Sequence, residues 1–368
     1  MPSRRWVERL RSRRPGVAGS IVRGGDVRAT NRRVVLELIE RHGPISRADL
    51  ARQAGLSMPS VSEIVSDLLA SGLVAWHGEG VSTGGRRPML LRANPARATV
   101  LAADLGGTSA ALGLFLLDGT CLSEERFTIP ATARGNEVVR HLVSAARRLL
   151  AEAAGKHPEV LGMGVAAPGV TDPETGEVTL APAVGWTGTP VRYLLEQELG
   201  IPVVVDNDVN AAALAEWRFG DGARYKSFVF VSIGTGVGSG IILNGQIHRG
   251  LSNQAGEIGY MVMDQDWHGS PNDFGDLESR ISLPALARDY ARTLHDRGPG
   301  SADPDAVLRN LVDNFAAGDP GAVEFLTERV RLLARALVNV FAVLAPEAIF
   351  LGGPISPYVP QFLPALQE

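Results

Sequence analysis

The spacing of apolar residues predicts helices near the N-terminus and a β-hairpin farther along the chain. Residues 28–42 place four apolar side chains on one face of a helix: Val34, Val35, Leu38 and Ile39. Gly43 and Pro44 then end that helix. Between residues 100 and 120 the pattern changes to two apolar strands around a glycine-containing tip, which predicts a hairpin. The chain therefore contains at least two regions of different architecture.

Two further helices follow the first at short intervals. Ser46 is placed to cap a helix over residues 47–54 that ends at Gly55, and Ser57 is placed to cap a third helix. The third helix turns four apolar residues inward: Val61, Ile64, Val65 and Leu68. A helix, a short turn with glycine and a second helix form a helix-turn-helix, whose second helix normally enters the major groove of DNA.

Small or polar side chains at the start of the third helix are suited to approach base edges. The predicted DNA contacts there are Ser57, Met58, Ser60 and Ser62. Residues 73–92 then read as strand, loop and strand, which predicts a wing. The wing loop carries Arg86 and Arg87, and guanidinium groups on such a loop suit insertion into a narrow minor groove. A winged helix that contacts only proteins is the alternative interpretation.

Charge is distributed unevenly along the chain. Residues 1–92 carry 16 arginines, no lysine and 8 acidic residues, a net charge of +8, whereas the remainder carries −12. A basic N-terminal region on an acidic body is the electrostatic signature of a nucleic-acid partner. We expect a disordered basic tail over residues 1–25, followed by a DNA-binding domain over residues 26–95.

Composition narrows the class of protein. The single cysteine, Cys121, allows no intramolecular disulfide bond, which fits a reducing cytoplasm. The arginine-rich N-terminus lacks the apolar core of a secretory signal. No apolar run is long enough to cross a bilayer, so we expect a cytoplasmic protein without a membrane partner.

Two glycine hairpins carry the candidate phosphate chemistry. The first has D-L-G-G-T at its tip, residues 104–108, and the second turns between Gly234 and Gly240. Glycines let backbone N–H groups approach a phosphate where a Cβ would block them, and a threonine adds a hydroxyl donor. An ordinary β-turn is the alternative for either hairpin alone. Their recurrence indicates two halves of a duplicated fold that face each other across a cleft.

Four sequence blocks in order carry a resemblance to a known family. They are D-L-G-G-T at 104–108, G-M-G-V-A-A-P-G-V-T-D-P-E-T-G at 162–176, V-V-V-D-N-D-V-N-A-A-A-L-A-E at 203–216, and S-I-G-T-G-V-G-S-G-I-I-L-N-G-Q-I at 232–247 with A-G-E-I-G at 255–259. Behind a winged helix, these blocks make the chain resemble the ROK family (repressor, open reading frame, kinase). The resemblance implies an α/β body with the actin-like sugar-kinase fold, a duplicated ribonuclease H-like architecture.

The resemblance also implies that the body consists of two subdomains. It implies a first actin-like subdomain over residues 98–225 and a second over 226–368, with a final strand from about residue 348 that returns to the first. In the family a further strand and helix follow the segment that corresponds to residues 346–354, whereas this sequence stops at Glu368.

Ligand-binding residues follow from the same resemblance. Asp208 corresponds to the family's catalytic base, which accepts the proton of a sugar hydroxyl that attacks the γ-phosphoryl group of ATP. Its place fits, because a buried strand is predicted to end there, just before a helix from Asn210 onward. A helix N-cap is the alternative role for Asp208. The implied sugar-binding residues are Gly169, Asn207, Asp208, Glu257 and Glu278. The implied nucleotide- or phosphate-binding residues are Asp104, Gly106, Gly107, Thr108, Gly234, Thr235, Gly236, Gly352 and Gly353.

Several residues depart from the family pattern. Tyr260 stands where the family has a histidine that binds zinc and also contacts the sugar. The positions of the family's cysteines hold residues without a thiolate: Gly269, Pro271 and Asp276. We therefore predict no zinc and no other metal site. Ala183 replaces an asparagine that contacts the sugar in the family, which indicates changed or weakened sugar recognition.

Two functions from different classes fit these features. One is a sugar-responsive transcriptional regulator, a repressor of carbohydrate metabolism, that binds double-stranded DNA and a sugar effector as a homodimer or homotetramer and needs no cofactor. The alternative is an ATP-dependent kinase of a hexose or N-acetylhexosamine with an appended DNA-binding domain, which needs ATP and Mg²⁺. Tyr260, Ala183 and the early C-terminus favour the regulator, whereas the intact hairpins and Asp208 keep the kinase open.

Overall fold

The computed structural model of the protein describes residues 24–81, 87–130, 133–264, 275–295 and 303–367. The chain separates into two units, residues 1–97 and 98–368. One apolar core lies in the first unit and two large ones lie in the second. Residues 1–23 of the predicted basic tail lie outside the described residues.

The described residues of the N-terminal unit form three helices and a small sheet. The helices are α1 (Gly24–His42), α2 (Arg47–Ala54) and α3 (Met58–Ala70), and the strands are β1 (Ile45–Ser46), β2 (Val74–Glu79) and β3 (Met89–Ala93). The strands pair antiparallel in the order β1-β3-β2. Strands β2 and β3 are the two arms of the predicted wing. Arg86 and the rest of the segment 82–86 lie outside the described residues.

Capping side chains start α2 and α3 where the sequence predicts. Ser46 Oγ accepts a hydrogen bond from the backbone N–H of Asp49 at 3.1 Å, and Ser57 Oγ accepts one from the N–H of Ser60 at 3.3 Å. Gly55 ends α2 in the left-handed conformation, with φ 65°. The inward face predicted for α3 is buried and packs with α1 in one core. The predicted helix-turn-helix is therefore confirmed.

A five-stranded sheet forms the first half of the body. Its strands are β4 (Thr99–Leu105), β5 (Ser109–Leu116), β6 (Cys121–Thr128), β7 (Val160–Ala167) and β11 (Val203–Asn207), in the order β11-β7-β4-β5-β6. Helices α4 (Gly135–Ala153) and α5 (Val191–Leu199) pack on the face where alternate strand residues such as Leu101 and Val205 are buried. A separate antiparallel sheet holds β8 (Val170–Asp172), β9 (Glu177–Ala181) and β10 (Trp186–Thr189).

The second half of the body repeats this arrangement. Its strands are β12 (Phe228–Ile233), β13 (Val237–Leu243), β14 (Gln246–Ile247) and β15 (Ala348–Gly352), in the order β14-β13-β12-β15. In both sheets the first strand lies between its hairpin partner and a parallel strand. The repeated order confirms the predicted duplication.

Where the structure describes the chain beyond β11, six helices belong to the connection between the halves and to the second half. They are α6 (Asp208–Phe219), α7 (Glu278–Ile281), α8 (Leu283–His295), α9 (Pro304–Ala316), α10 (Pro320–Leu344) and α11 (Val359–Gln367). Helix α6 follows β11 of the first sheet and packs on β12 and β13 of the second. It therefore joins the two halves. No helix of the described residues is long and apolar enough to cross a membrane.

Two predicted features of the body are wrong. Strand β15 pairs in parallel with β12, so it lies in the second sheet and does not return to the first subdomain. The duplication explains this pairing. Strand β15 is the parallel neighbour of β12 in the second sheet, just as β7 is the parallel neighbour of β4 in the first. Strand β11, predicted to be buried, is an edge strand, and Val204 on it is 62% exposed.

Candidate functional site

Four carboxylates from separate segments lie in one electrostatic site of the body. Asp104 lies near the end of β4, Asp208 begins α6, Glu257 precedes a short 3₁₀ turn and Glu278 begins α7. Burial is the main influence on the pKa of Asp208 and of Glu257, and neighbouring carboxylates add to it. The charge of Asp104 raises the pKa of Asp208, and the charges of Glu278 and Asp208 raise that of Glu257. The fold thus brings together four of the residues predicted to bind sugar or nucleotide.

The junction between β11 and α6 fixes the middle of this site. Asn207 is the N-cap of α6, because its Oδ1 accepts hydrogen bonds from the N–H groups of Val209 and Asn210 at 2.9 and 3.0 Å. Its Nδ2 donates to the carbonyl oxygen of Gly169 at 2.9 Å. Helix α6 begins at Asp208, not at Asn210, and the alternative that Asp208 is the N-cap is wrong. Asn207 and Gly169 therefore hold the start of α6 in place.

Asp208 has one carboxylate oxygen bound by the protein. Its Oδ1 accepts hydrogen bonds from the N–H of Val209 at 2.9 Å and from Nδ2 of Asn207 at 3.0 Å. No donor among the described residues reaches Oδ2. Burial, assisted by the charge of Asp104, raises the pKa of Asp208 to about 6 despite these hydrogen bonds. Asp208 is therefore mostly ionised at neutral pH and has an oxygen available to accept a proton or a hydrogen bond.

Glu257 and Glu278 are the carboxylates that the second half of the body contributes to the site. Burial and the charges of Glu278 and Asp208 raise the pKa of Glu257 to about 7, and in the described part of the chain its carboxylate has no hydrogen-bond donor. Glu278 Oε2 accepts a hydrogen bond from the backbone N–H of Val237 at 2.8 Å, although burial still raises its pKa. An acid without a donor in a partly buried place is suited to a ligand that brings its own hydroxyl groups.

The tips of the two glycine hairpins meet beside the carboxylates. A Cβ placed on Gly107 would lie 3.3 Å from Cγ2 of Thr235, and one on Gly236 would lie 2.7 Å from Oε2 of Glu278. Within the described residues, four backbone N–H groups at these tips have no hydrogen-bond partner: those of Gly107, Thr108, Thr235 and Gly236. Such clustered donors fit an anion such as a phosphate.

The turn after β15 lies against the second hairpin. Gly353 has φ 83°, and a Cβ there would lie 2.4 Å from Oγ of Ser232. Pro354 follows it, and a Cβ on Gly234 would lie 3.0 Å from Cδ of that proline. The structure therefore packs the turn at residues 353–354 against residues 232–234, and both the positive φ and the close contact with Ser232 explain the glycine at position 353.

Sequence reasoning missed a polar network next to Asp208. Asp206, in β11, accepts hydrogen bonds from the guanidinium group of Arg249 at 2.5 and 3.2 Å. The buried amides of Asn210 and Asn253 complete the cluster. Asp206 and Asn210 belong to the D-N-D-V-N motif at residues 206–210. No local feature of the sequence indicates that Arg249 and Asn253 contact them.

The predicted DNA contacts lie in the other unit. Met58 is 47% exposed at the start of α3, while Ser60 and Ser62 are half-buried. Ser57 is exposed, but its Oγ is already engaged with Ser60. Arg87 is exposed and lies 3.8 Å from a carboxylate oxygen of Glu79 across the wing. An exposed pair of this kind is weak and leaves the guanidinium group available to a phosphate.

Two of the three positions that correspond to the family's zinc-binding cysteines lie outside the described residues. Gly269 and Pro271 belong to the segment 265–274, which is not described. Asp276 is described, and its carboxylate accepts hydrogen bonds from the N–H groups of Met263 and Asp264 and from Arg280. Among the described residues, no group of three or more His, Cys, Asp or Glu side chains is arranged to hold a metal ion. The absence of zinc stays a prediction.

Both units of the chain are similar to known proteins. A family model described as ROK family matches residues 100–368, and one described as winged helix-turn-helix DNA-binding matches residues 28–75. The chain is similar to the xylose repressor of Caldicellulosiruptor bescii, with 28% identity over 347 residues that cover 92% of this chain and 86% of the relative.

Two solved structures resemble the whole chain or its body. One is a ROK family transcriptional regulator, a homolog of the E. coli MLC protein, with a TM-score of 0.79 and 26% identity, covering 93% of this chain and 87% of that chain. The other is a ROK family glucokinase from Streptomyces griseus in complex with glucose and AMPPNP, with a TM-score of 0.61 and 30% identity, covering 73% of this chain and 87% of that chain.

Proposed function

Because the chain belongs to the ROK family, we propose that it is a sugar-responsive transcriptional regulator that acts as a repressor of carbohydrate metabolism. One observation carries the proposal: a single chain combines a winged helix with a cleft of four carboxylates. The likeness to a regulator over 93% of the chain, against 73% for a kinase, supports it.

The winged helix is the DNA-binding part of the proposal. Met58, Ser60 and Ser62 of α3 contact base edges in the major groove, while Ser57 holds the start of that helix. Arg86 and Arg87 of the wing contact the minor groove. A homodimer, or a homotetramer built from such dimers, would present two winged helices to an A·T-rich inverted repeat.

The cleft is the sugar-binding part of the proposal. A sugar carries several hydroxyl donors, and Asp208 Oδ2 and Glu257 are acceptors with no donor among the described residues. Glu278 contacts the same sugar with the oxygen that Val237 does not occupy. Asn207 and Gly169 act by positioning Asp208, because their side-chain and carbonyl hydrogen bonds are already used within the protein. No cofactor is needed for this role.

The experiment for this proposal measures DNA binding with and without sugar. DNA is selected from a random pool by the purified full chain, labelled, and titrated by fluorescence anisotropy in the presence of D-xylose, D-glucose or N-acetyl-D-glucosamine. We expect at least one sugar to change the Kd for DNA at least tenfold, which corresponds to a coupling of about 1.4 kcal/mol. A Kd that no sugar changes would contradict the proposal.

A second candidate function is supported by the hairpin tips. The N–H groups of Gly107, Thr108, Thr235 and Gly236 fit the phosphates of ATP, which would supply the γ-phosphoryl group. Mg²⁺ bound to those phosphates would neutralise part of their charge. Asp208, with its pKa raised to about 6, would accept the proton of the sugar hydroxyl. This arrangement would make the body an ATP-dependent kinase of a hexose or N-acetylhexosamine.

We infer that the kinase reaction is negligible in this chain. Tyr260 and Ala183 stand at positions where the family contacts sugar through histidine and asparagine, so sugar placement against Asp208 differs. Coupled-enzyme assays of ATP consumption with the same three sugars test this inference. Turnover on the order of 1 s⁻¹ or faster, the low end of ordinary enzymes, would establish the kinase instead.

A further inference from the structure

We propose that Arg249 and Asn253 are positioning residues that hold the two sides of the sugar site together through Asp206. Together with Asn210, these residues are called the cross-cleft network below. The proposal deepens the proposed function, because the site that the network organises is the sugar site. None of the four side chains is assigned to the ligand itself.

Asp206 is the centre of the network. Its Oδ2 accepts hydrogen bonds from Nη2 and Nε of Arg249 at 2.5 and 3.2 Å. Its Oδ1 accepts hydrogen bonds from Nδ2 of Asn253 at 3.3 Å and from the N–H of Asn207 at 2.8 Å. Asn210 Nδ2 lies 3.3 Å from Oδ1 of Asn253. One carboxylate in the first half of the body therefore binds two side chains that the second half supplies.

Burial makes these contacts costly to lose. The side chain of Asp206 is 13% exposed, and that of Arg249 is 33% exposed. Asn210 and Asn253 are only 3% and 4% exposed. Removing one member of a partly buried ion pair leaves a charge without its partner, which is more unfavourable than breaking a pair at the surface. The network is thus more enclosed than an exposed pair such as Arg224 and Asp221.

The segment that carries Arg249 and Asn253 is hydrogen-bonded to β13 at both ends. The N–H of His248 donates to the carbonyl of Ile241, and the N–H of Ser239 donates to the carbonyl of Gly256, so both ends are bound to β13. A Cβ on Gly256, at φ 92°, would lie 1.9 Å from the carbonyl oxygen of Ser239. Glu257 follows immediately. The position of Glu257 therefore depends on how this segment is held against β13.

Asn253 has a left-handed backbone conformation that directs its side chain toward Asp206. Its φ is 58°, a region that asparagine adopts more readily than most other residues with a side chain. Here the buried amide of Asn253 reaches Asp206 because the backbone takes this conformation. The left-handed turn at Asn253 therefore contributes to the contact between this segment and Asp206.

The two sides of the site depend on each other through this connection. Asp206 is next to Asn207, which caps α6 and holds Asp208, whereas Arg249 and Asn253 precede Glu257. A hydroxyl-bearing ligand that binds Asp208 and Glu257 together needs their separation fixed, since binding is weakened by any ordering that the free protein has not already completed. The cross-cleft network supplies that preorganisation.

Two measurements on the full chain test the proposal, and they use the variants Asp206→Asn, Arg249→Gln, Arg249→Lys and the double variant Asp206→Asn/Arg249→Gln. The first is hydrogen exchange of residues 248–258 without sugar. The second is calorimetric titration with whichever of D-xylose, D-glucose and N-acetyl-D-glucosamine binds the wild type. Arg224→Gln is the matched control, because Arg224 makes an exposed pair with Asp221 in the same body.

We expect exchange in residues 248–258 to be at least tenfold faster in Asp206→Asn and Arg249→Gln, with sugar affinity at least tenfold weaker. The double variant should be no worse than Asp206→Asn alone, because Asp206→Asn already removes the ion pair that Arg249→Gln breaks. Arg249→Lys, which keeps the charge but loses the two-pronged contact, should fall between wild type and Arg249→Gln. The control should match wild type.

Other outcomes separate the two proposals. Unchanged exchange, or a lower Tm with unchanged exchange and sugar affinity, would overturn the positioning role and leave a merely structural ion pair. If no sugar binds the wild type, the proposed function fails, while the exchange measurement still decides whether the network holds the segment. If Arg249→Gln does not fold, the comparison of Arg249→Lys with wild type decides it by the same two readouts.

Discussion

The two units of the chain hold their candidate functional groups in opposite environments. In the winged helix, cations such as Arg28 and Arg87 are largely exposed, and the ion pairs they make lie at the surface. In the body, four carboxylates share a partly buried cleft in which burial raises their pKa values. DNA binding should therefore depend on long-range charge and on salt, whereas sugar binding should depend on a few short hydrogen bonds and on pH.

The largest expected effect is that of Asp208→Asn on the cleft. The amide keeps the size of the side chain but cannot accept a hydrogen bond on its nitrogen, and hydrogen bonds to charged groups contribute about 1.5–3 kcal/mol. Calorimetry should show sugar affinity about 10- to 100-fold weaker, while DNA affinity without sugar stays at the wild-type value. Loss of DNA affinity in the same variant would mean that the two units do not have separate roles.

The same substitution sharpens the choice between sensor and kinase. If the wild type turns over ATP, Asp208→Asn should lower the rate by roughly 10²- to 10⁴-fold, far more than it lowers sugar affinity, because a proton acceptor acts mainly in the transition state. An equal loss in affinity and rate would argue that Asp208 only binds the sugar.

The next largest effect is expected for the pH dependence of the free energy of unfolding, through Glu257. Glu257 has a folded-state pKa of about 7, above its ordinary value of 4.5, so the folded protein binds a proton more tightly than the unfolded chain does. The free energy of unfolding therefore falls as pH rises from about 4.5 to 7. At pH 8, Glu257→Gln should be more stable than wild type by ~1–2 kcal/mol, with little difference at pH 4.5.

Urea denaturation of wild type and Glu257→Gln at pH 8 and pH 4.5 measures the free energy of unfolding and checks this prediction. Glu324→Gln, at an exposed position of α10, is the matched control and should change stability at neither pH. If Glu257→Gln is less stable than wild type at pH 8, then the carboxylate of Glu257 is held by a donor and the cleft is not poised for a ligand.

A comparable effect is expected from the wing. Replacing both Arg86 and Arg87 by Ala should weaken DNA binding about tenfold near physiological salt, and it should reduce the slope of log Kd against log salt by about 2 in magnitude. Anisotropy titrations at several salt concentrations measure both quantities. Arg224→Ala, in the acidic body, controls for the loss of positive charge. An unchanged slope would remove the wing from the DNA interface.

The smallest expected effect is that of metal removal. The predicted absence of zinc means that elemental analysis after dialysis against a chelator should find well below one zinc per chain, with DNA binding and Tm unchanged. A stoichiometric zinc ion would show that residues 260–278 were misinterpreted. It would also place a cation beside the carboxylates, which would lower their pKa values and remove the contrast between the two units.

Local features of the fold were predictable from the sequence, whereas pairings between distant segments were not. The caps Ser46 and Ser57 act within three residues, and the sequence alone placed them correctly. Strand β15 was assigned to the wrong sheet, because strand pairing depends on segments more than 100 residues apart. The family resemblance supplied Asp208, Glu257 and Glu278, which no local pattern would have brought together.

The cleft also contains errors and omissions with a physical cause. Asn207 and Asp208 are both good N-cap residues, and only the backbone conformation shows that Asn207 is the cap. The pair of Asp206 and Arg249 spans 43 positions, and an asparagine at position 253 permits a left-handed turn without indicating which distant residue its side chain reaches. These features depend on tertiary packing, which overrides local preference where a site is built.

The most direct test of the account is a titration of the wild-type chain and Asp208→Asn with sugar in the presence of bound DNA. The central claim is that a sugar in the acidic cleft controls DNA binding by the basic winged helix. The account predicts that sugar releases DNA from the wild type, at least tenfold in Kd, and that Asp208→Asn binds the same DNA equally well but requires about 10- to 100-fold more sugar for release. Release of DNA from both proteins at the same sugar concentration would contradict it.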